Sequence, residues 1–394
     1  MPTAPARFID IHILQSVPFA NLNRDDTNSV KTVQYGNTLR TRVSSQSWKR
    51  AVRTAFEEHI GQAALRTRRI GERVTQLLTT RDGWPQELAE RAGAHAAAAS
   101  SIKFELAKNP DDPKQIVPNK VLTNAMVYVP DSAVTELADL ATEHRQALEN
   151  AKDLKKPTDK SVLPKEHVEK ILRSRNGVIN LFGRMLAEVD DAGVDGAVQV
   201  AHALTTHMTD VELDYFSAVD DVTAAWGDSS GSGHMGHAEF SAGTFYRYAT
   251  LDLRDLAHNL NGTTSELAEL AHAFLHAFII SLPQAKKNST APHTIPDLVH
   301  LSVRTDRPLS YAAAFEHPVT AAPQGGYAAP SRDALATYAR AANTMLGTHN
   351  ILTSGWTSLE TKTLDGLGTR HDAYADLLTA ALDAALTTQD GTTA

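Results

Sequence analysis

Apolar and polar positions alternate at the start of the chain. From Phe8 to Leu14, residues Ile9, Ile11 and Ile13 share one side of an extended backbone, the pattern of a half-buried strand. A long loop, residues 15–37, follows. The period then changes: Trp48, Ala51, Val52, Ala55 and Phe56 recur at helical spacing, with Ser44 placed ahead of them as an N-cap. Residues 61–175 read as a helical, charge-mixed insertion. It contains an Ala-rich run at 91–101 and a Lys/Pro-rich stretch at 151–165 with the composition of a mobile linker or loop. Val178–Leu186 reads as a second strand, Val198–Met208 as a short helix, and Phe240–Leu253 as a strand rich in Phe and Tyr. Thr263-Thr264-Ser265-Glu266 forms a capping box. It precedes the clearest helical stripe, Leu267 to Leu282, which Pro283 stops. Leu298–Arg304 alternates again, and a helical tail takes in 331–346 and 372–386. With the insertion set aside, the order is strand, helix, strand, then strand, helix, strand. That is the RRM-like (ferredoxin-like) order of an α+β fold, whose sheets bind single-stranded RNA in one familiar use.

Composition narrows the chemistry. The 394 residues suit one large domain with insertions or two domains. Cysteine is absent, which excludes disulfides, thiolate metal sites and a cysteine nucleophile and fits a reducing cytoplasm. The N-terminus has no apolar signal segment, and the longest apolar stretch, near Ala273 to Leu282, is too short to span a bilayer. Lys plus Arg is 38 against 46 for Asp plus Glu, a net charge of −8. Such a balance argues against nonspecific nucleic-acid binding unless positive charge is gathered locally.

It is gathered. Between Thr27 and Phe56 the chain carries Lys31, Arg40, Arg42, Lys49, Arg50 and Arg53 and no Asp or Glu, with Arg24 just upstream. Gln46, Lys49, Arg50 and Arg53 fall on the helix face opposite the apolar stripe. Like charges at that spacing repel, and a polyanion relieves the repulsion. The helix N-terminus adds free N–H groups and a positive dipole end. Ahead of it, Arg40 and Arg42 share a face of an extended segment.

Other constellations carry less. Gly231-Ser232-Gly233-His234-Met235-Gly236 satisfies G-x-G-x-x-G, but a strand follows where a dinucleotide site needs a helix. The 17 histidines show no zinc spacing: His202 and His207 point to different faces of a helix, and His234 with His237 lacks a third ligand nearby. Asp25-Asp26 and Asp220-Asp221 are the candidates for magnesium chemistry, although adjacent Asp pairs in loops more often cap turns.

Several segments together resemble the CasC family, the CRISPR-RNA-binding backbone subunits of type I-E Cascade. They are Phe8–His12, Leu22–Asn28, Arg42–Ala51, Gly183-Arg184-Met185, Ala201–His207, Asp214–Asp221, Glu239–Tyr248 and Pro308–Glu316. The resemblance runs from Phe8 to about Val319 and is weak in the insertion. It implies an RRM-like palm at 1–60 and 176–320, a helical fingers insertion at 61–175, a β-hairpin thumb near 215–241, and a helical C-terminal region, 321–394, packed on the palm. By resemblance, Lys31, Ser44, Gln46, Lys49, Arg50 and Arg53 line an RNA track, and Gly183 brings the backbone close, with Arg184 and Met185 at the RNA. Phe216 stacks at the thumb root, while His234 and Met235 wedge against bases from a glycine-rich tip at 227–236. Trp48 departs from the usual aliphatic residue, on the buried face.

The implied role is that of a non-enzymatic structural subunit without cofactor or membrane contact. Its partners are crRNA, other copies of itself, other Cascade subunits and, through guide pairing, target DNA. The rival reading is a metal-dependent endoribonuclease of the same superfamily using Asp25 or Asp26.

Overall fold

The computed structural model describes residues 6–219, 232–261 and 264–390. Strand β1 (Phe8–Ala20) is followed by the hairpin β2 (Thr32–Tyr35) and β3 (Thr38–Val43) and by helix α1 (Ser45–Ile60). Next come β4 (Ala64–Thr67), α2 (Ile70–Thr80), α3 (Gln86–Ala98), β5 (Phe104–Lys108), β6 (Ile116–Thr123), β7 (Val127–Pro130), α4 (Ser132–Glu143), α5 (Arg145–Glu149), α6 (Lys165–Leu172) and α7 (Gly177–Phe182). The chain continues through β8 (Val198–Val200), β9 (Ala203–Thr205), β10 (Glu212–Val219), β11 (Ser232–Asp252), α8 (Leu253–Asn259), α9 (Thr264–Ile280) and α10 (Lys287–Thr290). It closes with β12 (Leu298–Arg304), a 3-10 turn (Ala312–Phe315), α11 (Ala328–Leu346), β13 (Ile351–Ser358), β14 (Thr369–Arg370) and α12 (Tyr374–Asp390). Two compact units divide these elements. One runs through Phe56, resumes at Val198–Arg254 and again from Thr263; the other comprises Glu57–Ala197 and Asp255–Gly262.

The first unit is built on a mixed ten-stranded sheet in the order β14-β13-β12-β1-β11-β9-β3-β2, with β8 and β10 also pairing β11. Strand β1 lies antiparallel between β11 and β12, His12 opposite Tyr248 on one side and His300 on the other. Its expected half-burial is corrected: Phe8 to Gln15 are all buried. Both faces are covered because helices pack on one and the C-terminal chain on the other. On the helix side, Arg247 of β11 lies 3.9 Å from the ring centroid of Trp48 in α1 and 4.8 Å from that of Phe278 in α9. Its guanidinium donates to Gln15 Oε1 and to the Phe278 carbonyl, and burial pushes its pKa down to about 9. A cation between two aromatic faces is stabilised by their quadrupoles most strongly where water is excluded.

The opposite face carries Asp10, His12, Tyr246, Tyr248 and His300, and is closed by Tyr311, Phe315 and the α11 residues Leu335, Ala336 and Ala339. Tyr248 Oη donates to Asp10 at 2.8 Å, and the Leu309 N–H donates to the same carboxyl at 2.9 Å. His12 stacks on Tyr311 at 4.2 Å between centroids. Burial raises the Asp10 pKa to about 6 and lowers that of His300 to about 4. The protein's own C-terminal segment thus occupies the aromatic face of the sheet.

The second unit packs α2, α3 and α4 around Val74, Leu78, Ala89, Ala92, Leu137 and Ala141. The insertion is not purely helical, because β4 pairs β7 and β5 pairs β6. The Lys/Pro-rich stretch is anchored rather than loose: Leu154 and Leu163 are buried, and Asp153 accepts from Arg91 and Asn119.

Three further expectations are corrected. Residues 177–182 form helix α7 instead of a strand, with the Asn176 side chain accepting the Ile179 N–H as cap. A short apolar run buried all round does not reveal its period. Residues 198–208 give strands β8 and β9 instead of a helix, because β11 and β3 offer them ladder partners. The C-terminal tail contributes β13 to the sheet between its helices. The first capping-box residue, Thr263, lies outside the described residues.

Trp48→Ala should cost about 3–5 kcal/mol, since it removes a buried indole and one face of the Arg247 box. Trp48→Phe, which keeps an aromatic face, should cost clearly less. Urea unfolding midpoints at unchanged m-value measure both, and equal losses would show that the cation–aromatic contact contributes nothing.

Candidate nucleic-acid interface

The basic segment of the sequence is β3 and α1, and Ser44 joins them. Its hydroxyl accepts the Ser47 N–H at 3.2 Å and its carbonyl the Trp48 N–H at 3.1 Å, so the expected N-cap is present and the hydroxyl is buried in that role. Trp48, Val52 and Phe56 form the buried stripe of α1. Gln46 and Arg50 are exposed, and Lys49 and Arg53 are partly exposed on the outward side. This face was legible from helical spacing alone.

The two strand arginines part company. Arg42 is partly exposed, and its Nη1 meets His202 Nδ1 at 3.1 Å. Arg40, expected on the same accessible face, is fully buried. Its guanidinium donates to the Thr205 and Phe315 carbonyls at 2.9 and 3.0 Å and to the Thr38 hydroxyl at 2.9 Å. The 3-10 turn packs over that end of the strand, so Arg40 is a buried tie inside the first unit. Lys31 is partly exposed, and its carbonyl accepts the Arg42 N–H at 2.8 Å. Arg24 is exposed and donates to Asn28 Oδ1 at 3.0 Å.

The neighbouring acids do not assemble a cation site. Asp25 Oδ1 accepts from the Thr27 N–H, the Thr27 hydroxyl and the Ser29 N–H at 2.8–2.9 Å. These bonds, the Thr27 hydroxyl's first, hold its pKa below the usual carboxylate range. Asp220 and Asp221 lie outside the described residues. Among the described residues no three His, Asp or Glu side chains come together as a metal site, and no helix is long and apolar enough to cross a membrane.

In the second unit Arg184 and Met185 behave oppositely. Arg184, expected at the RNA, is buried. It donates to the carbonyls of Ala192, Tyr128, Leu172, Ser174 and Arg173 at 2.7–3.3 Å. Burial, then the charge of Arg175, lowers its pKa to about 10. Gly183 has φ of +78°, and a Cβ there would lie 2.6 Å from the Gly196 nitrogen. The loop is therefore pinned from within, and Met185, 90% exposed, stands out from it.

The hairpin of β10 and β11 pairs Phe216 with Gly236 and Ser217 with Met235. The Phe216 ring lies over Gly236, where a Cβ would approach it to 2.5 Å. Tyr215, Phe216 and Met235 are exposed apolar groups on this hairpin. Residues 220–231 and the His234 side chain lie outside the described residues. Strand β11 begins at Ser232, so the glycine motif runs into a strand where a dinucleotide site would need a helix. His202 is the residue that sequence reasoning missed; only its tertiary position beside α1 reveals it.

The molecule thus defines a mixed α/β class in which a large sheet presents an outward basic helix face and an exposed apolar hairpin. The chain belongs to the CT1975-like protein family, whose model matches residues 9–382. It is similar to a chain of a solved structure described as "CRISPR RNA-guided surveillance complex, pre-nicking", at 41% identity over 96% of this chain and 100% of that chain, with a TM-score of 0.86. A chain of a second, described as "CRISPR RNA-guided surveillance complex", shares 37% identity over 96% of this chain and 99% of that one, with a TM-score of 0.76. No curated protein matches.

Arg184→Ala should destabilise the second unit by on the order of 3 kcal/mol or more, since it strands several buried carbonyls. Met185→Ala should leave the melting temperature within error. Thermal unfolding followed by circular dichroism checks the contrast, and a silent Arg184→Ala would refute the pinning role.

Proposed function

We propose that this protein is a non-enzymatic, RNA-binding backbone subunit of the CasC kind. Copies line up along CRISPR guide RNA in a type I-E Cascade complex and present the guide for pairing with target DNA. The observation that carries the reading is the end-to-end similarity to a surveillance-complex chain, on a molecule whose basic, acid-free segment 27–56 includes the outward face of α1. The central order β12-β1-β11-β9, crossed by α1 and α9, is read as the RRM-like palm, the second unit as fingers and the β10–β11 hairpin as thumb.

Since the aromatic sheet face is closed, RNA runs along α1 and the end of β3 rather than across the sheet. Gln46, Lys49, Arg50, Arg53, Lys31, Arg42 and Arg24 supply contacts to its backbone, with Ser44 shaping the turn. Met185, Phe216, Met235 and His234 supply the apolar and stacking contacts. Phosphate contacts position without reading sequence, which suits a subunit that must accept any guide. The other subunits of the complex and target DNA are partners through this assembly.

Lys49→Ala combined with Arg53→Ala should weaken RNA binding to the same degree for unrelated sequences. It should also flatten the dependence of log K on log salt by roughly 0.7 for each phosphate ligand removed. Fluorescence anisotropy over a salt series measures both. Weakening confined to one sequence, or an unchanged slope, would remove these residues from the RNA track.

Purified protein with single-stranded RNA and magnesium or manganese should yield no cleavage products, because Asp25 Oδ1 already accepts three hydrogen bonds within its own turn. Products that vanish in Asp25→Ala/Asp26→Ala would establish the endoribonuclease reading instead.

A further inference from the structure

His202 sits between β8 and β9, and its Nδ1 faces two groups that can only donate. The Ser45 N–H, first in helix α1, lies 3.2 Å away, and Arg42 Nη1 lies 3.1 Å away. Nδ1 therefore accepts from both, which places the ring proton on Nε2 and keeps the imidazole neutral. The charged groups that face the ring are Arg42 from β3 and Lys31 from the segment before β2, together with the positive end of α1. Burial first, and then those two cations, holds the pKa of His202 below its ordinary range. An exposed arginine beside other cations would ordinarily swing away into solvent. Here a neutral acceptor holds it against the start of the basic helix.

We propose that His202 is a positioning residue for RNA: its unprotonated Nδ1 fixes Arg42 at the first turn of α1, where Arg42 and Lys31 present their charges together to the RNA backbone. The inference rests on the RNA-binding reading and adds the group that orders one end of the track. It also makes the grip sensitive to acid. A proton on Nδ1 replaces an acceptor with a donor that faces two donors and adds a third positive charge, so Arg42 is released. The folded ring resists protonation, so the arrangement is intact at neutral pH and above, and is lost as pH falls below the ordinary histidine range.

The test is RNA affinity by anisotropy for wild type, His202→Asn, His202→Leu, Arg42→Ala and the Arg42→Ala/His202→Leu double variant, with melting temperatures as a folding control. Asparagine sets an amide oxygen where Nδ1 lies, and should stay within about twofold of wild type at pH 8. His202→Leu should bind about tenfold more weakly, the scale of one charge-assisted contact, and should flatten the salt slope by about 0.7. The double variant should match Arg42→Ala alone, because His202 acts through Arg42. Between pH 8 and 5.5 wild-type affinity should fall while that of His202→Asn holds.

Additive effects in the cycle, or wild-type affinity that rises on acidification, would overturn the proposal in favour of direct contact between the ring and phosphate. RNA binding that depends on Lys49 and Arg53 but ignores His202 would sink this inference alone. Wild-type protein that binds no RNA would sink both readings.

Discussion

Strand β1 is covered on both faces, and most of the molecule follows from that constraint. A polar group removed from water on both sides of a sheet must find a partner inside the protein or bear the full desolvation cost. Asp10 finds Tyr248 and the Leu309 N–H, His12 finds Tyr246, and Gln15 finds Arg247. Since Leu309 and Tyr311 follow the last central strand, these bonds draw the C-terminal chain across the sheet. The Tyr246 hydroxyl also accepts the Tyr311 N–H at 2.9 Å. The aromatic face is thereby closed.

The same constraint sorts the arginines. Arg40, Arg184 and Arg247 are all buried, and their guanidinium groups are held mainly by backbone carbonyls and aromatic rings. Arginine suits this use because its planar cation is weakly hydrated and carries several donors in a fixed fork. Each such group welds segments far apart in sequence: Arg40 joins β3 to residues 205 and 315, and Arg247 joins β11 to α1 and α9. Positive charge that remains at the surface of the segment is then a small set on one helix and the strand before it. That set gives a chain of net charge −8 a local basic surface.

Helix α1 was legible because its evidence is local. Ser44, the buried stripe and the outward Gln46, Lys49, Arg50 and Arg53 all follow from spacing within one element, as do β12 and the body of α9. The family resemblance rested on short segments of the same kind, and the CT1975-like match, residues 9–382, covers all of them but Phe8. Residues 177–182 and 198–208 were misread for one shared reason. Brief apolar runs take whichever form their neighbours complete, and the completing groups, Asn176 as a cap and β11 with β3 as ladders, act through contacts that periodicity does not record.

Composition and spacing by themselves determined that this chain lacks thiol chemistry, carries six basic residues and no acid between Thr27 and Phe56, and turns a cationic helix face outward. Tertiary structure decided which of those cations stay in reach of a ligand. Arg40 and Arg42 are equivalent on an extended strand; only the 3-10 turn over one and His202 beside the other distinguish them. The reason is physical: side-chain direction is set by the local backbone, whereas burial is set by whatever distant segment packs against it, and a charge is useful to a polyanion only where nothing does.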